Sequence, residues 1–462
     1  MTLRLALLPW LAAAGAWLQA APAQRQASER CRLQIVNVDR EGNRVEIAPG
    51  ITNYFAGGNV HMRCIGLDVH MWSDSLASYQ GNVIQFIGRV RYRDSSTEMT
   101  ADFGTYLRAD ERWEARDNVV LTNLDDHSTL RGPYLDYYRA VPGMRDTVEM
   151  YAERRPTVTI AVTDSLGRPE EPYLLVGDRV RFRGRDRVWA GGRVTIDRSD
   201  FRGRGDSLYL DTGPRNEGAL IGNASTRRSA EDSFDLRGRR IDLALEQNDL
   251  TYVTAHDSAS LVTETLELVA NGIGIDLDQR EVQQVLAWGS DSTVRPLATS
   301  TAYEVRGDSL AFDTPGQRLR EIRGFRRAEF YGEATDTAEG AVGLPTRDFV
   351  TGDTVEARFT AVDSAGGESP ALERLEARGS AKAYYRLRLA GQERASVSYS
   401  LADLIRIVMA VGDSVAVDSV IQIGVRDGVH LQPRIVRADS ARADSAARRD
   451  TIPPARTRSA RR

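Results

Sequence analysis

Cysteine and histidine are scarce in these 462 residues, at two and five. The histidines, His61, His70, His127, His256 and His430, show no His-x-x-x-His, Glu-x-x-His or cysteine-paired spacing, so a metal site has no local support. They read as surface or loop residues. A Gly-x-Ser-x-Gly elbow and a phosphate-binding loop are also missing, and glycines such as Gly203 and Gly205 sit in a strand-turn context, not ahead of a helix. Neither sign of charge prevails: 61 basic and 65 acidic residues leave a net charge of −4, which gives no global pull toward nucleic acid. Asp125-Asp126 and Asp197 with Asp200 imitate a carboxylate pair. In a chain rich in turns, however, aspartate is first a turn residue. No catalytic residue, metal or cofactor is assigned, and the chain reads as a non-enzyme.

Long apolar runs are confined to the start. Arg4 precedes Leu5 to Leu18, and Ala21-Pro22-Ala23 supplies a small-residue cleavage pattern. This predicts a secretory signal over 1–23. The mature chain would then work outside the cytoplasm. Disulfides persist in such a compartment. Cys31 opens the strand-like Arg-Leu-Gln-Ile-Val-Asn-Val and Cys64 ends Gly58-Asn-Val-His-Met-Arg. Their bridge would tie the first strand to the first full strand pair and close a loop worth roughly 3 to 4 kcal/mol in the chain-entropy model.

What the chain has in quantity is a repeated phrase. Gly177-Asp178-Arg-Val-Arg-Phe places apolar Val180 and Phe182 two and four positions after the acid, and after Gly192 the same rhythm places Val194 and Ile196. Gly205-Asp206 restarts it with Leu208 and Leu210. Period two means strands. Anchors corresponding to Asp178 recur at Asp74, Asp102, Pro133, Asp206, Arg239, Glu264, Asp308 and Asp353, giving Ile241/Leu243, Leu266/Leu268 and Leu310/Phe312; Ser78 and Gly104 depart from the rule. A second phrase follows about 14 to 17 residues later in the clear units, as in Ile87-Gly88-Arg-Val90 and Ile221-Gly-Asn-Ala224. Glycine and aspartate supply positive φ and local bonds where a strand begins after a turn, and alternation gives each strand one apolar face. One pair cannot bury that face alone, so successive pairs must stack into an elongated all-β repeat. Val180, Phe182, Val194, Ile196, Leu208, Leu210, Ile241, Leu243, Leu310 and Phe312 stand at matching even offsets and are expected to form one inward column.

Residues 24–160 and 174–433 read as two runs of this repeat, with a Pro/Gly-rich turn region over 139–173 and a bend at 160–174. Segments 332–347 and 361–370 read as surface loops, and 401–411 as either helix or buried strand. From 437 to 462, Arg/Asp/Ser/Ala repeats cannot supply a core and predict a basic disordered tail. The arginines from Arg179 to Arg187, with Arg202 and Arg204, alternate with apolar residues and belong on a solvated outer face, where an anionic headgroup is the alternative occupant.

A secretory signal followed by recurring Gly-Asp-x-φ-x-φ and φ-x-Ala/Gly-x-Gly-Asn/Arg-Val phrases resembles the OstA-like/LptA family of periplasmic lipopolysaccharide-transport proteins. The phrases are Gly177-Asp178-Arg-Val-Arg-Phe, Gly205-Asp206-Ser-Leu-Tyr-Leu-Asp211, Gly307-Asp308-Ser-Leu-Ala-Phe-Asp313, Gly81-Asn-Val83 and Ala190-Gly-Gly-Arg-Val194. The resemblance covers roughly residues 55 to 385. It implies an open β-jelly-roll of stacked strand pairs whose apolar groove carries acyl chains of lipopolysaccharide or a related glycolipid toward the outer membrane. It also implies partners of the same fold, joined end to end by strand pairing, and no catalytic residues. The ten-residue column would then be the lipid-binding interior. The competing class is an extracellular β-helix enzyme or adhesin acting on polysaccharide, with a closed interior and its chemistry on an outer face.

Overall fold

The computed structural model describes residues 30–432, apart from 163–167, 200, 214, 229–232, 247–248, 279–280, 291–293, 335–343, 365–366, 388–394 and 411–415. The expected signal and basic tail lie outside the described residues, as does Asp200. The chain is all-β. Among the described residues the only helical element is the 3-10 turn Pro315–Gln317, and consecutive antiparallel strands make up nearly everything else. Two compact units divide at Ala259/Ser260, so the segment 160–174 falls within the first of them.

In the first unit each full-length strand is bent once, and the bend is built by the repeated phrase. Gly88-Arg89, Gly192-Arg193 and Gly222-Asn223 are consecutive residues in the left-handed region, with φ of 77 and 45°, 79 and 47°, and 78 and 46°. At each pair the ladder slips register, between Ile87 and Val90, Gly191 and Val194, and Ile221 and Ala224. Such bulges bend a strand. The anchor aspartate, one hairpin earlier in the chain, lies over this bend. Asp178 accepts hydrogen bonds from Arg193 at 2.9 Å and Arg155 at 3.0 Å, and Asp102 accepts one from Asn118 at 2.7 Å. The Arg193 bond holds the Asp178 carboxyl below its ordinary range. A Cβ on Gly192 would stand 2.5 Å from Asp178 Oδ2, so glycine there meets both the positive φ and the close approach.

This corrects the expectation for the phrase. Asp178 and Asp308 stand just ahead of the strands Arg179–Arg183 and Ser309–Asp313, as expected, but Asp206 lies inside the strand Phe201–Asp211, and positive φ belongs to the second phrase, Gly192 or Gly222, not to Gly177 or Gly205. Glu264 is no corner; it occupies the turn between Asp249–Thr263 and Leu266–Asp278. Pro133 carries no carboxylate, yet the following left-handed pair, Arg154-Arg155, is present with φ of 65 and 63°.

Each bend divides a strand into two arms whose apolar faces meet. On one arm Ala115, Leu135, Ala152, Val180, Ala190, Leu208, Leu220 and Ile241 are successive cross-strand partners. On the other, Leu121, Leu130, Val158, Leu175 and Ile196 are. Rings fill the space between them near the start: Tyr92 on the second arm lies 5.4 Å from Trp113 and 5.6 Å from Tyr137 on the first. Gly104 departs from the apolar rule because a Cβ there would stand 2.8 Å from Trp113. The supposed turn region 139–173 also supplies one bent strand, as the two short strands Glu149–Glu153 and Thr157–Ile160 on either side of Arg154-Arg155.

The first unit begins with a clamp. Cys31 and Cys64 are disulfide-bonded and buried, and Leu33–Asn37 pairs with the end of Ile51–Cys64. The Cys31 N–H donates to Glu111 at 2.7 Å, as does the Tyr106 hydroxyl, and the Arg139 guanidinium lies 2.8 Å from the same carboxylate.

The second unit uses the same device with longer strands. Arg326-Arg327 and Gly379-Ser380 are its left-handed pairs, facing Asp308 and Asp353. The expected loop 361–370 is strand up to Ser364 and again from Gly367, since Arg347–Ser364 and Gly367–Leu387 pair through Val362↔Ser369 and Ser364↔Gly367. Its Ala/Val/Asp/Ser composition reads as loop in isolation, and ladder pairing overrides that. The expected loop 332–347 is strand up to Ala334 and again from Arg347, with 335–343 outside the described residues. The ambiguous 401–411 falls in the strand Ser396–Ala410 up to its last residue.

Candidate functional site

The ten apolar positions all lie on inner faces, but not in one column. Val180, Leu208 and Ile241 share a cross-strand row with Ala190 and Leu220 between them. Phe182, Leu210 and Leu243 share the next row, joined by Val188 and Gly218 and preceded by Met150. Val194 and Ile196 belong to the opposite arm, beside Gly205 and Gly203. Leu310 and Phe312 belong to the second unit, where they pair with Ala287 and Val285 and are buried. Reading parity from an anchor identifies the face. It cannot say on which side of a bend a residue falls.

Burial varies along the first unit. Trp113, Tyr137 and Leu135 are completely enclosed, whereas Met150, Phe182, Leu210 and Leu243, on the same inner face of the same arm, are only half-buried. Ile196 on the facing arm is half-buried too. From Met150 onward the inner face therefore keeps a margin of half-buried apolar side chains, interrupted by the buried Val188. Large rings close the interior earlier in the unit, and glycines such as Gly203 and Gly218 take their places later.

The outer faces carry charge in compensated form. Arg181 lies between Tyr151 and Trp189, 5.0 and 5.2 Å from their ring centres, and 3.5 Å from Glu149. Asp125 is paired with Arg185, Asp126 accepts the Ser128 N–H at 2.8 Å, and Asp197 accepts from Arg202 at 2.7 Å. Asp200, the other member of the second pair, lies outside the described residues. One association escaped the sequence: His61 Nε2 and His70 Nδ1 lie 3.0 Å apart beside the Trp72 ring. Burial, then the neighbouring His70 and Arg63, lower the pKa of His61. The two histidines occupy adjacent strands, so nothing in their spacing announces the contact. Among the described residues, no group of three or more His, Cys, Asp or Glu side chains could hold a metal ion.

Edges are apolar as well. Ala416–Ile423 and Asp427–Leu431 pair with Ser396–Ala410 on one side, and Ile421, Ile423, Val425, Val429 and Leu431 are about half exposed.

No known protein family matches this sequence, and no curated protein matches it. A solved structure similar to part of the chain is that of LptH, the LptA homologous periplasmic component of the conserved lipopolysaccharide transport device from Pseudomonas aeruginosa. The match is 16% identical, spans 23% of this chain and 75% of that one, and has a TM-score of 0.20.

Proposed function

We propose that this protein is a periplasmic carrier that shields the acyl chains of lipopolysaccharide or a related glycolipid between the two arms of its bent strands. The observation that carries this reading is the half-buried inner row of Met150, Phe182, Leu210 and Leu243. Apolar side chains on an inner face gain by further removal from water, and an acyl chain laid along them would gain roughly 0.8 kcal/mol per buried methylene. The fully packed segment around Trp113 supplies rigidity and the later segment supplies the seat. Photocrosslinking probes at Phe182 and Leu210 are expected to capture lipid, whereas probes at outward Arg181 and Tyr209 are not. Equal labelling from both faces, or none from either in lipid-transporting cells, removes the groove.

Partners of the same fold would join through the exposed edges of Ala416–Ile423 and Asp427–Leu431, since an unpaired ladder accepts a further strand. A proline at Val429 is expected to abolish self-association or partner binding in sedimentation experiments while circular dichroism stays unchanged. Unaltered assembly counts against edge pairing.

A further inference from the structure

The outer face of the first unit carries a cleft of about 430 Å³ lined by Arg187, Trp189, Tyr209, Asp211 and Arg215. It closes a row of stacked groups. Tyr151, Arg181, Trp189 and Tyr209 are successive cross-strand partners, the Trp189 and Tyr209 rings are 5.7 Å apart, and the next partner is Ala219, which has no ring to continue the row. Neighbouring strands lie about 4.8 Å apart, so these side chains stand at stacking distance without distortion. The floor is fixed by Asp211, whose side chain is 2% exposed. It accepts from the Tyr209 hydroxyl at 3.2 Å and the Gly213 N–H at 3.0 Å, and lies 3.3 Å from Arg187 Nε. A buried carboxylate held this way orients both the phenol and the guanidinium.

Two guanidinium groups, Arg187 and Arg215, and one carboxylate, Asp211, line the cleft. Arg181 and Arg183 share Glu149 at 3.5 and 3.6 Å, Arg187 is paired with Asp211, and Arg215 lies 3.3 Å from Glu217. The two guanidinium groups that line the cleft are thus each held by one carboxylate at its floor or rim, beside the aromatic rings. Aromatic surface beside convergent donors and acceptors suits a sugar ring, which presents C–H faces and hydroxyl edges; a guanidinium fork binds a carboxylate through two parallel hydrogen bonds.

We propose that this cleft binds an acidic saccharide, a uronic acid unit of a soluble glycan, with its ring against Trp189 and Tyr209 and its carboxylate on Arg187 and Arg215. The site is on the opposite face of the sheet from Phe182 and Leu210 and does not depend on lipid occupying the inner face. The full chain would be titrated with trigalacturonate, with neutral maltotriose and with phosphatidylglycerol vesicles. Saturable binding of trigalacturonate is expected, about tenfold tighter than that of maltotriose, because a charge-assisted pair is involved. Arg215→Gln, at an exposed position, and Trp189→Ala are each expected to weaken it about fivefold or more, and Arg215→Gln is expected to narrow the preference over maltotriose. Absence of saturable binding, equal affinity for the two sugars, or undiminished binding in Arg215→Gln overturns the assignment. Vesicle binding without trigalacturonate binding overturns it in favour of a lipid headgroup.

Discussion

Replacing Glu111 with alanine is expected to destabilise the first unit by about 3–5 kcal/mol, because the change leaves a buried cation without its counter-charge. Glu111 is fully buried, and its carboxylate gathers the Cys31 N–H, the Tyr106 hydroxyl and the Arg139 guanidinium within 2.7–2.8 Å. Arg139 is itself only 13% exposed. With the acid gone, water cannot readily reach it. Removing both members of the pair should cost less than removing the acid alone, since no uncompensated charge then remains. Urea unfolding of the single and double variants, with hydrogen exchange at Leu33–Asn37 as the local readout, checks both statements. A Glu111→Ala loss below about 1 kcal/mol, or a double variant worse than the single, would sink the account.

Trp113→Ala is the second large effect, at about 3–5 kcal/mol. The indole is 1% exposed and touches Phe86 and Tyr106 on its own arm, at ring distances of 5.0 and 5.6 Å, and Tyr92 on the facing arm. It also fills the space that Gly104 leaves open. No neighbour can collapse into the void, because the bends at Gly88-Arg89 and Asp117-Asn118 fix the backbone on either side. Trp113→Phe keeps an aromatic bridge and should retain more than half of the stability. Thermal and urea unfolding of the two variants measure this. Equal losses from alanine and phenylalanine would show that the contact between arms contributes little.

The apolar face of each strand is legible in the sequence, because side-chain direction in a strand has period two and the phrase repeats often enough to set the phase. Val180 with Phe182, Leu208 with Leu210, and Leu310 with Phe312 all point inward. The bends are not legible. In Phe201–Asp211 the inward positions are Gly203 and Gly205 before Asp206, then Leu208 and Leu210 after it. The phase slips by one residue where Asp206 and Ser207 both turn outward. A reader following alternation sees only a strand beginning there, and so assigns the glycine and aspartate to a turn. Which arm a residue joins depends on that slip, and this is why Ile196 and Leu210 sit on opposite sides of the interior despite similar spacing from their glycine or acid. The margin of half-buried side chains depends on how far one arm overlaps the other. That distance is set by partners from many strands and has no local signature.

The bends also decide where this chain can change length. At Gly88, Gly192, Gly222 and Gly379 the left-handed pair meets its anchor aspartate across a space too small for a Cβ, so one residue added or removed there would displace the later side chains of that strand to the wrong face. The hairpin ends carry no such constraint. Between Asp178 and Gly192 the chain runs 14 residues out along one arm and back, whereas between Asp353 and Gly379 it runs 26, with the same slip of register at both corners. Within each unit the corners are thus a fixed datum, like the spine of a book, from which pages of unequal width are cut. Variation among proteins built this way should accumulate at the fore-edge, where a wider page extends the sheltered surface without resetting the binding.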